Sequence, residues 1–594
     1  MIEFMKEFLL KVSKPGRYIG NEWNAVLKNW KDVEVKVALV FPDTYEIGMS
    51  HLGWQILYHL LNKEEYVLAE RVFAPWLDFE EMLRKKNIPL FSLESKNPLR
   101  DFDLIGFSLM YEMSYTNVLN ILDLGGIPLF SQEREETFPL IVAGGTCTFN
   151  PEPLSPFIDA FVIGEGEEVI LEIVELIKRD KGQGTRDKGE LLKELTKIPG
   201  VYVPSLYPAP QSRKEFPLKV TKRIIANLDQ SFFPTRLIVP FIDVVHNRVS
   251  LEIFRGCTQG CRFCQAGMIY RPVRERSLDV LLNLAEESIK KTGFEELSLL
   301  SLSTSDYTHL EELVEGLMRR FSQKGIEISL PSLRPDTFSF SLAQKLKETK
   351  KGGLTFVPEA GTQRMRDLIN KKVSEDDLIE AVNSALLSGW TSLKLYFMIG
   401  LPGEKDEDIE GIVALTKRIR KEVKPYHKFK RINLSISSFV PKPHTPFQWE
   451  RQRPREEIEE KQRYLWTNLR DKKLSLSWHS KELSLLEGVF SRGDKALGKV
   501  LHRAFRLGCK FDAWSEYFHY ALWEEAFLKE GVDPSFYQRE RSYDEVLPWE
   551  HIDSGVEKKF LIKEAERSKR GELTPDCRQR CLNCGLEKEG WCSP

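Results

Sequence analysis

The sequence predicts an α/β protein in which two domains of alternating strands and helices are followed by a mainly helical domain. Apolar strand-like runs alternate with helical patterns over residues 1–205 and again over 243–450, and this order favours parallel sheets. Residues 206–242 hold several prolines between short β-like runs and are predicted to be a linker. Residues 451–594 are rich in helix formers and hold six of the 12 tryptophans. We therefore expect a doubly wound, Rossmann-like first domain, a second domain of strand–helix units and a helical third domain.

The composition is that of an ordinary globular protein and provides no overall charge that would attract a particular partner. The 594 residues are 42% apolar and 29% charged, and 86 basic and 88 acidic side chains give a net charge of −2. Contact with nucleic acid would therefore depend on a local patch. No continuous apolar run approaches the roughly 20 residues that span a bilayer. Residues 1–12 carry Glu3 and Glu7, unlike a signal peptide, so we expect no membrane contact.

The nine cysteines indicate the cellular compartment. Seven of them fall in two tight groups, one near residue 260 and one at the end of the sequence. This distribution favours metal binding in a reducing cytoplasm over a framework of disulfides. Cys147 and Cys509 stand alone and are expected to be packing residues.

The first domain is predicted from short apolar runs with helical patterns between several of them. The strand candidates are 33–41, 90–93, 104–110, 140–143 and 160–163. Ligands of doubly wound sheets bind at the carboxyl ends of the strands. Gly144 and Gly145 follow the fourth candidate and are predicted to lie at such an end.

The second domain is predicted to hold six strand–helix units. Its strand candidates are 249–254, 297–302, 326–330, 353–357, 392–399 and 432–439. In α/β barrels the loops that follow the strands build the active site. The residues after each of these strands are therefore candidate site residues.

The first strand of the second domain leads into three closely spaced cysteines. Cys257, Cys261 and Cys264 have the spacing C-x3-C-x2-C, and Phe263 precedes the third cysteine. Three such thiolates can hold one face of a cubane iron–sulfur cluster and leave the fourth iron without a protein ligand. A zinc knuckle is the alternative, but zinc sites need four ligands, and no fourth cysteine or paired histidine lies nearby.

This spacing, with an aromatic residue before the last cysteine, resembles the motif of the radical S-adenosylmethionine (SAM) enzymes. The resemblance implies that SAM chelates the open iron of a [4Fe-4S] cluster through its amino and carboxylate groups. It implies that the reduced cluster cleaves SAM to a 5′-deoxyadenosyl radical, with an electron donor such as flavodoxin or ferredoxin. It also implies a partial (β/α)6 barrel, which agrees with the six units counted above.

The same resemblance gives SAM-binding roles to the loops after the second and third strands. The second loop would meet the methionyl amino group, and Ser301 and Ser303 stand there in place of the usual Gly-Gly-Glu. Ser332 and Arg334 follow the third strand, and the Arg334 guanidinium could clamp a carboxylate with two hydrogen bonds. Each loop, taken singly, could also be a plain barrel turn.

The loops after the fourth and fifth strands complete the resemblance. Glu359, with Arg364, Asn370 and Lys371 after it, is similar to a motif of methylthiotransferase-type radical SAM proteins, in which a Glu holds the ribose hydroxyls. Gly400 and Pro402 lie in a turn similar to the one on the adenine side of SAM in the superfamily.

The first domain resembles the cobalamin-binding domains fused to many radical SAM enzymes. The match consists of Gly144-Gly145 after a strand, Asn150-Pro151-Glu152-Pro153, Asp159 and Gly164-Glu165-Gly166-Glu167. The sequence has no Asp-x-His-x-x-Gly motif to supply a histidine ligand to cobalt. The resemblance therefore implies cobalamin held without that ligand, and a domain used for docking or substrate recognition is the alternative.

The sequence ends in a second cysteine group. Cys577, Cys581, Cys584 and Cys592 have the spacing C-x3-C-x2-C-x7-C. Four thiolates can close a second [4Fe-4S] cluster, and they can equally satisfy tetrahedral zinc. A tail without metal is the third reading. An auxiliary cluster after the barrel resembles the arrangement in several radical SAM families.

These observations predict a cytoplasmic radical SAM enzyme that modifies a substrate, with methylation as one candidate reaction. RNA is one candidate substrate, because Lys495, Lys499, Arg503 and Arg506 recur every three or four residues on a predicted helix, 494–507. A solvated charged face is the plainer interpretation of that helix. The alternative function is an RNA-binding or assembly factor whose cluster is structural or senses redox state.

Overall fold

The fold was examined in a computed structural model, which has parallel sheets surrounded by helices and confirms the predicted α/β class. The structure describes residues 8–182, 187–207, 219–331, 333–338, 340, 343–345, 353–588 and 590–592. No helix within these ranges combines the length and the apolar character needed to cross a bilayer.

The N-terminal sheet has six strands. They are β1 (Val35–Phe41), β2 (Val67–Phe73), β3 (Leu104–Ser108), β4 (Leu140–Gly144), β5 (Ala160–Val162) and β6 (Val201–Tyr202). Their order is β2-β1-β3-β4-β5-β6, with β6 antiparallel to β5 and the other neighbours parallel. The strand order reverses between β1 and β3, and ligands of such sheets bind at this point, outside the carboxyl ends.

Helices cover both faces of this sheet because alternate strand residues point to opposite sides. Val37 and Leu39 belong to one core cluster, and Ala38 and Val40 belong to the other. The helices of the first face are Leu52–Lys63, Glu167–Gly182 and Lys188–Leu195. The second face is covered by Leu77–Lys86 and Tyr115–Leu124. The domain is therefore doubly wound, as predicted.

One predicted strand of this domain is wrong. Residues 90–93 form no strand, and β2 takes the edge position instead. β2 holds Glu70 and Arg71, which hide its strand character in the sequence. Both side chains are buried, and the Arg71 guanidinium pairs with Glu22 and Glu94.

The segment after the N-terminal domain contributes a short strand to the C-terminal region. β7 (Val220–Thr221) pairs in parallel with Ile552–Asp553. The connection therefore packs against a part of the chain that lies more than 300 residues later.

The barrel domain is built from two parallel sheets. Its strands are β8 (Val249–Glu252), β11 (Glu296–Leu300), β12 (Glu327–Ser329), β13 (Leu354–Glu359), β14 (Ser392–Ile399), β15 (Arg431–Ser438) and β16 (Leu474–Trp478), and the short pair β9 (Phe254–Arg255) and β10 (Arg274–Glu275) follows β8. The orders are β12-β11-β8 and β13-β14-β15-β16. All six predicted strands are present, and β16, in the region predicted to be helical, adds a seventh. The main covering helices are Leu278–Thr292, Leu310–Phe321, Glu375–Leu387 and Asp406–Glu422.

The C-terminal helices pack in three places. Lys481–Ser491, Leu497–Arg506 and Tyr520–Glu530 pack on the N-terminal sheet, Arg455–Asn468 packs on the barrel, and Lys558–Lys569 belongs to a smaller cluster with Trp449 and Trp549. Leu497, Val500 and Leu501 join the core cluster that contains the second face of that sheet. Leu497–Arg506 is the predicted basic helix, and its apolar side is buried as expected.

Candidate active site

The cysteine loop leaves the first barrel strand through a glycine that no other residue could replace without strain. Gly256 has φ +88°, and a side-chain carbon there would lie 2.5 Å from the Pro272 carbonyl oxygen. Cys257, Cys261 and Cys264 follow as free thiols. The amide of Gly267, in the helix Ala266–Ile269, donates a hydrogen bond of 3.4 Å to Cys264 Sγ.

The buried thiols of Cys257 and Cys264 need a compensating positive charge before they can ionise. Burial raises the pKa of Cys257 to about 11 and that of Cys264 to about 12, and the thiol of Cys261 adds to both shifts. Metal ligation deprotonates thiols that would otherwise stay protonated. The donor set therefore fits an iron–sulfur cluster with an open iron.

Among the residues that the structure describes, a buried lysine ammonium beside this loop has no hydrogen-bond partner. Lys372 Nζ is fully enclosed, and Asp576, Cys261, Arg334 and Cys257 lie within electrostatic range of it. Burial lowers the pKa of Lys372, and Asp576 and the two thiols oppose this shift. A buried cation without a partner calls for an anion. The arrangement fits an anionic ligand bound next to the cysteines.

Glu359 lies where the ribose-binding carboxylate was predicted. It ends β13 in a left-handed conformation, φ +67°, and its carboxylate is 3.7 Å from Lys371 Nζ. Burial raises the pKa of Glu359, while Lys371 opposes the shift. The carboxylate also contributes to the raised pKa of Cys264, so it lies within electrostatic range of the cysteine loop.

The residues predicted to bind SAM after the second and third barrel strands differ in their hydrogen-bond partners. Ser303 Oγ is buried and has no hydrogen-bond partner within the described part of the chain, whereas Ser301 Oγ lies 3.1 Å from Thr304 Oγ1. The Arg334 guanidinium forms two hydrogen bonds with Asp336, of 3.0 and 2.7 Å, so an internal carboxylate occupies the predicted clamp. Ser332 lies outside the described residues.

The turn after β14 is held by a carboxylate. Both carboxylate oxygens of Glu404 accept hydrogen bonds of 3.0 Å from the amide of Gly400. Gly400 has φ +80°, and a side-chain carbon there would be 2.8 Å from Ile458 Cδ1. Pro402 follows in the same turn and is half-buried.

A cavity of about 1070 Å³ lies at the carboxyl end of the second barrel sheet. Phe263 of the cysteine loop, Met398 at the end of β14, and Ser437 and Ser438 at the end of β15 line one side. The opposite side is formed by Tyr111 of the N-terminal domain and by C-terminal residues, among them Trp478, Glu487 and Tyr520. All three parts of the chain thus enclose a space next to the cysteines.

A second cavity, of about 390 Å³, lies between the N-terminal sheet and the barrel. The predicted Gly144 and Gly145 line it at the end of β4, and Gly106 and Ser108 line it on β3. Gly145 has φ +113°, and a side-chain carbon there would be 2.5 Å from the Leu109 carbonyl oxygen. The barrel contributes residues that include Gly256, Tyr270 and Ser301. The cavity occupies the position where ligands of doubly wound sheets bind.

His51 also lines the second cavity, but its ring serves the fold. His51 Nδ1 accepts a hydrogen bond of 3.1 Å from the amide of Trp54 and so caps the helix Leu52–Lys63. Burial lowers the pKa of His51 to about 4, so the ring is neutral near pH 7. In a neutral ring whose Nδ1 accepts, Nε2 carries the proton and cannot bind a metal.

The C-terminal tail is docked on the cysteine loop. Asp576 Oδ2 accepts hydrogen bonds from Thr258 Oγ1 at 2.7 Å and from Gln259 Nε2 at 3.3 Å. Arg262, which is fully buried, donates to the Glu572 carbonyl at 2.6 Å and to the Leu368 carbonyl at 2.8 Å. The second cysteine group thus begins against the first.

The four tail thiols lie near one another. Burial raises the pKa of Cys592 to about 11, and Cys584, Cys581 and Cys577 add to this shift. Among the residues that the structure describes, no three His, Cys, Asp or Glu side chains surround a single-ion position. The donor chemistry of four cysteines fits either of the metal centres predicted for the tail.

Sequence reasoning missed several residues that organise the site. These residues are Lys372, Arg262 and Asp576. They lie within or next to the motifs named in the sequence analysis, but their contacts join segments separated by up to 318 residues. Asn370, named only as part of a motif, donates to the carbonyls of Gln259 and Gly260 at 3.1 Å. For Arg262 and Asp576, the sequence signal that could have identified them was a polar residue within or directly beside a cysteine motif.

Comparison with known proteins agrees with this arrangement. Residues 53–204 match the model of the N-terminal region of radical SAM proteins, and residues 251–416 match that of the radical SAM superfamily. An uncharacterized protein of Methanocaldococcus jannaschii is 30% identical over 476 residues, which cover 78% of this chain and 90% of the relative. An uncharacterized methyltransferase of Pyrococcus horikoshii is 26% identical over 401 residues, which cover 65% of this chain and 78% of the relative.

A solved structure shares the fold. The radical SAM methyltransferase TsrM from Kitasatospora setae, with cobalamin and a [4Fe-4S] cluster bound, aligns with a TM-score of 0.54 and 14% identity. The alignment covers 84% of this chain and 99% of TsrM. The fold, the cysteine loop and these matches define one class of protein: the chain belongs to the radical SAM superfamily of enzymes.

Proposed function

We propose that this enzyme binds a [4Fe-4S] cluster at Cys257, Cys261 and Cys264 and uses it to cleave SAM reductively and modify a substrate. The observation that carries the proposal is the position of the cysteine loop between two cavities. Gly256, at the start of the loop, lines the smaller cavity, and Phe263, near its end, lines the larger one. A radical formed at this loop would be sheltered and would have two adjoining spaces for reaction partners.

The residues around the loop have separate tasks in this proposal. The three cysteines hold the cluster, and Lys372 supplies a positive charge for the SAM carboxylate. Glu359 binds the ribose hydroxyls, as the resemblance implies. When bound, the cluster supplies the electron that cleaves SAM; the protein supplies orientation and excludes water. We expect the electron to come from a flavodoxin or ferredoxin in the cytoplasm.

The smaller cavity is the proposed cobalamin site. Its support is its place at the strand reversal of the N-terminal sheet, with Gly144 and Gly145 allowing close approach to the backbone. TsrM, which shares the fold, has cobalamin bound. His51 is committed to the helix cap, so cobalamin would lack a histidine as its lower ligand. Bound cobalamin would supply a methyl group, and this makes methylation the favoured reaction.

The larger cavity is the proposed substrate site, and RNA is one candidate substrate. The helix Leu497–Arg506 presents Lys499 and Arg506 on the surface, Lys495 is exposed just before the helix, and Arg503 is paired with Glu530 at 2.8 Å. Cations on an exposed face can track phosphates, and such binding weakens steeply with salt. We therefore expect Lys495, Lys499 and Arg506 to carry RNA affinity.

Charge reversal tests the RNA proposal. Lys495→Glu, Lys499→Glu and Arg506→Glu together should abolish RNA binding in a filter assay at low salt. The matched control reverses Lys424, Lys428 and Lys430, which are also exposed. Equal RNA binding by the two triple variants would reject RNA as a substrate bound on this helix.

We also propose that the four tail cysteines bind a second [4Fe-4S] cluster or a zinc ion. The support is the mutual closeness of their thiols and the packing of Cys584 against the core cluster of Met268, Trp549 and Phe560. Four protein ligands leave no open position, so this site would serve electron transfer or structure and would not bind SAM.

Anaerobic reconstitution tests the central proposal. The protein, loaded with iron and sulfide, reduced with dithionite and given SAM, should release 5′-deoxyadenosine, and cobalamin with a competent substrate should give a methylated product. A fully loaded protein that leaves SAM intact would favour the alternative, an assembly or RNA-binding factor with a structural or redox-sensing cluster.

A further inference from the structure

Aromatic side chains line much of the larger cavity. They are Tyr111, Phe263, Trp478, Phe518 and Tyr520. Trp466 extends this wall outward, since it is 51% exposed and its ring meets that of Trp478 edge-on, with the ring centres 5.8 Å apart. The faces of aromatic rings attract organic cations, and tryptophan attracts them most strongly. The wall therefore offers surfaces for a cation from the cysteine loop out to the solvent.

The lysine and the arginine in this wall are already paired with carboxylates. Lys442 Nζ lies 2.8 Å from a carboxylate oxygen of Glu112 and 2.8 Å from one of Glu487. The Arg455 guanidinium lies 3.0 Å from Glu482 Oε1. Little positive charge therefore remains for an anion that enters the cavity.

Glu524 adds negative charge to the wall. It lines the cavity, and within the described part of the chain it has no hydrogen bond or ion pair. Other charges act on the same surface: burial raises the pKa of Tyr520, the carboxylates of Glu524, Glu482 and Glu456 add to the rise, and Arg455 opposes it. Three carboxylates and one guanidinium thus lie within electrostatic range of Tyr520, and their balance is negative.

The wall also contains a hydroxyl group that is available to a ligand. Ser438, at the end of β15, lines the cavity, and its Oγ is buried with no hydrogen-bond partner among the described residues. Buried polar atoms are normally paired, so this oxygen calls for a partner from the ligand. A hydroxyl oxygen accepts hydrogen bonds, and ammonium and guanidinium groups can only donate them.

We propose that the larger cavity binds an organic cation, the ammonium or guanidinium group of a lysine or arginine side chain in a polypeptide. Glu524 supplies the counter-charge, Trp478 and Tyr520 supply aromatic faces, and Ser438 supplies an acceptor. The volume of about 1070 Å³ exceeds that of one side chain, so the backbone of a peptide can enter as well. This inference rests on the proposed function, which makes the cavity the substrate site. At that site it favours a basic polypeptide over RNA, whose phosphates would meet the carboxylates.

The test is equilibrium binding to the full-length reconstituted protein, followed by fluorescence anisotropy. The probe is a labelled peptide with one lysine and one arginine among glycines, and its neutral counterpart carries glutamine at both places. The variants are Glu524→Gln, Trp478→Ala and Trp478→Phe. Glu410→Gln is the matched control, because Glu410 is an exposed carboxylate on the helix Asp406–Glu422 and does not line the cavity.

The expected results are specific to the cavity wall. The basic peptide should bind wild-type protein more tightly than the neutral one. Glu524→Gln should weaken its binding about fivefold through loss of one charge pair. Trp478→Ala should weaken it about threefold, and Trp478→Phe should restore most of this loss because it keeps an aromatic face. Equal affinity for the two peptides, or equal effects of Glu524→Gln and Glu410→Gln, would overturn the proposal.

Competition identifies the source of the cation. Free lysine and arginine should not displace the peptide at equal concentration; displacement would support a cation site but overturn a polypeptide as its source. RNA binding, measured separately by filter retention, should be the same in Trp478→Ala and wild type. RNA affinity that depends on Trp478 would place a nucleobase in the cavity and overturn the proposal.

Failure of this inference can be told apart from failure of the proposed function. The peptide binds whether or not SAM is cleaved, so both are measured on the same reconstituted sample. Release of 5′-deoxyadenosine without selective binding of the basic peptide would overturn the inference alone. Selective binding without SAM cleavage would reject the radical chemistry and support the cation site.

Discussion

Lys442, at the carboxyl end of the barrel, forms a buried ion pair with Glu112 of the N-terminal domain, with Nζ and Oε1 2.8 Å apart. Lys442 Nζ also lies 2.8 Å from Glu487 Oε1 of the C-terminal region. Burial alone would lower the pKa of Lys442, and the two carboxylates raise it above its ordinary value. One charged side chain thus joins all three parts of the chain at the wall of the larger cavity.

Replacing Lys442 by Met should destabilise the protein by about 3–5 kcal/mol, because two buried carboxylates lose their counter-charge. Urea unfolding measures the change. Lys495→Met, at an exposed position, is the control and should stay within about 0.5 kcal/mol of wild type. Adding Glu112→Gln to Lys442→Met should recover part of the loss; no recovery would mean that the damage comes from lost packing.

Replacing any one of Cys257, Cys261 and Cys264 by Ala should abolish formation of 5′-deoxyadenosine and leave the circular dichroism spectrum unchanged. Each thiolate anchors one iron of the proposed cluster. Cys509→Ala, a buried cysteine far from the loop in sequence, is the matched control and should retain activity. The assignment of the catalytic cluster is wrong if a single variant still forms 5′-deoxyadenosine at the wild-type rate.

Cobalamin bound to this protein should have no histidine as its lower ligand. The reason is the hydrogen bond from the Trp54 amide to His51 Nδ1, which leaves the proton on Nε2. Absorption and EPR spectra of the reconstituted protein should be of the base-off type without histidine nitrogen coupling, and His51→Ala should give the same spectra. Nitrogen coupling that disappears in His51→Ala would contradict the prediction, and a protein that takes up no corrinoid would reject the cobalamin site.

Stability should fall on acidification because of His444. Burial lowers the pKa of His444 to about 4 from its ordinary 6.5, so the unfolded chain binds more protons between these values. The neutral ring of folded His444 therefore contributes at most roughly 3 kcal/mol to the free energy of unfolding above pH 6.5. This contribution is lost as the pH falls toward 4. His444 has φ +59°, a conformation that Asn tolerates. The stability difference between wild type and His444→Asn should narrow from pH 7 to 4.5.

The exposed His427 provides the control for this pH dependence. Urea unfolding of His427→Asn over the same pH range controls for the replacement of an exposed histidine by asparagine. A gap between wild type and His444→Asn that stays constant would show that His444 titrates alike in the folded and unfolded chains.

Metal analysis should distinguish the states of the tail. Protein reconstituted without oxygen should contain about eight irons if the tail holds a second cluster, or about four irons and one zinc if the tail holds zinc. Removal of residues 577–594 should then lower the melting temperature, since the tail packs on Phe560 and Val556. Four irons, no zinc and an unchanged melting temperature after truncation would leave the tail without metal.

The fold could be predicted from the sequence where the residues of a segment themselves carry the apolar pattern of a strand or helix. The strand Ser392–Ile399 has the predicted bounds, because its apolar pattern is carried by its own residues. β2 was missed because Glu70 and Arg71 interrupt its apolar run, and their partners, such as Ser92 and Glu94, lie 22 or 23 residues further on. The periodicity of a segment does not show that its buried charged side chains are paired with residues so far along the chain.

The candidate site was predictable to the same extent. The three cysteines of the proposed cluster could be recognised by their spacing, and Glu359 by its place at the end of a strand. Arg334 shows the limit, because the sequence gives its charge and position but not the hydrogen bonds to Asp336 that occupy it. The docking of Asp576 on Thr258 joins residues 318 apart, and no local pattern predicts a contact of that range.

The docking of the tail also fixes an order of events during protein synthesis. Thr258 leaves the ribosome 318 residues before Asp576. The barrel strands can therefore pair while the cysteine loop still lacks the acceptor that holds Thr258 and Gln259. The contacts of Asp576 with Thr258 and Gln259 can form only after Asp576 has been translated, so a cluster delivered earlier would meet the loop without them.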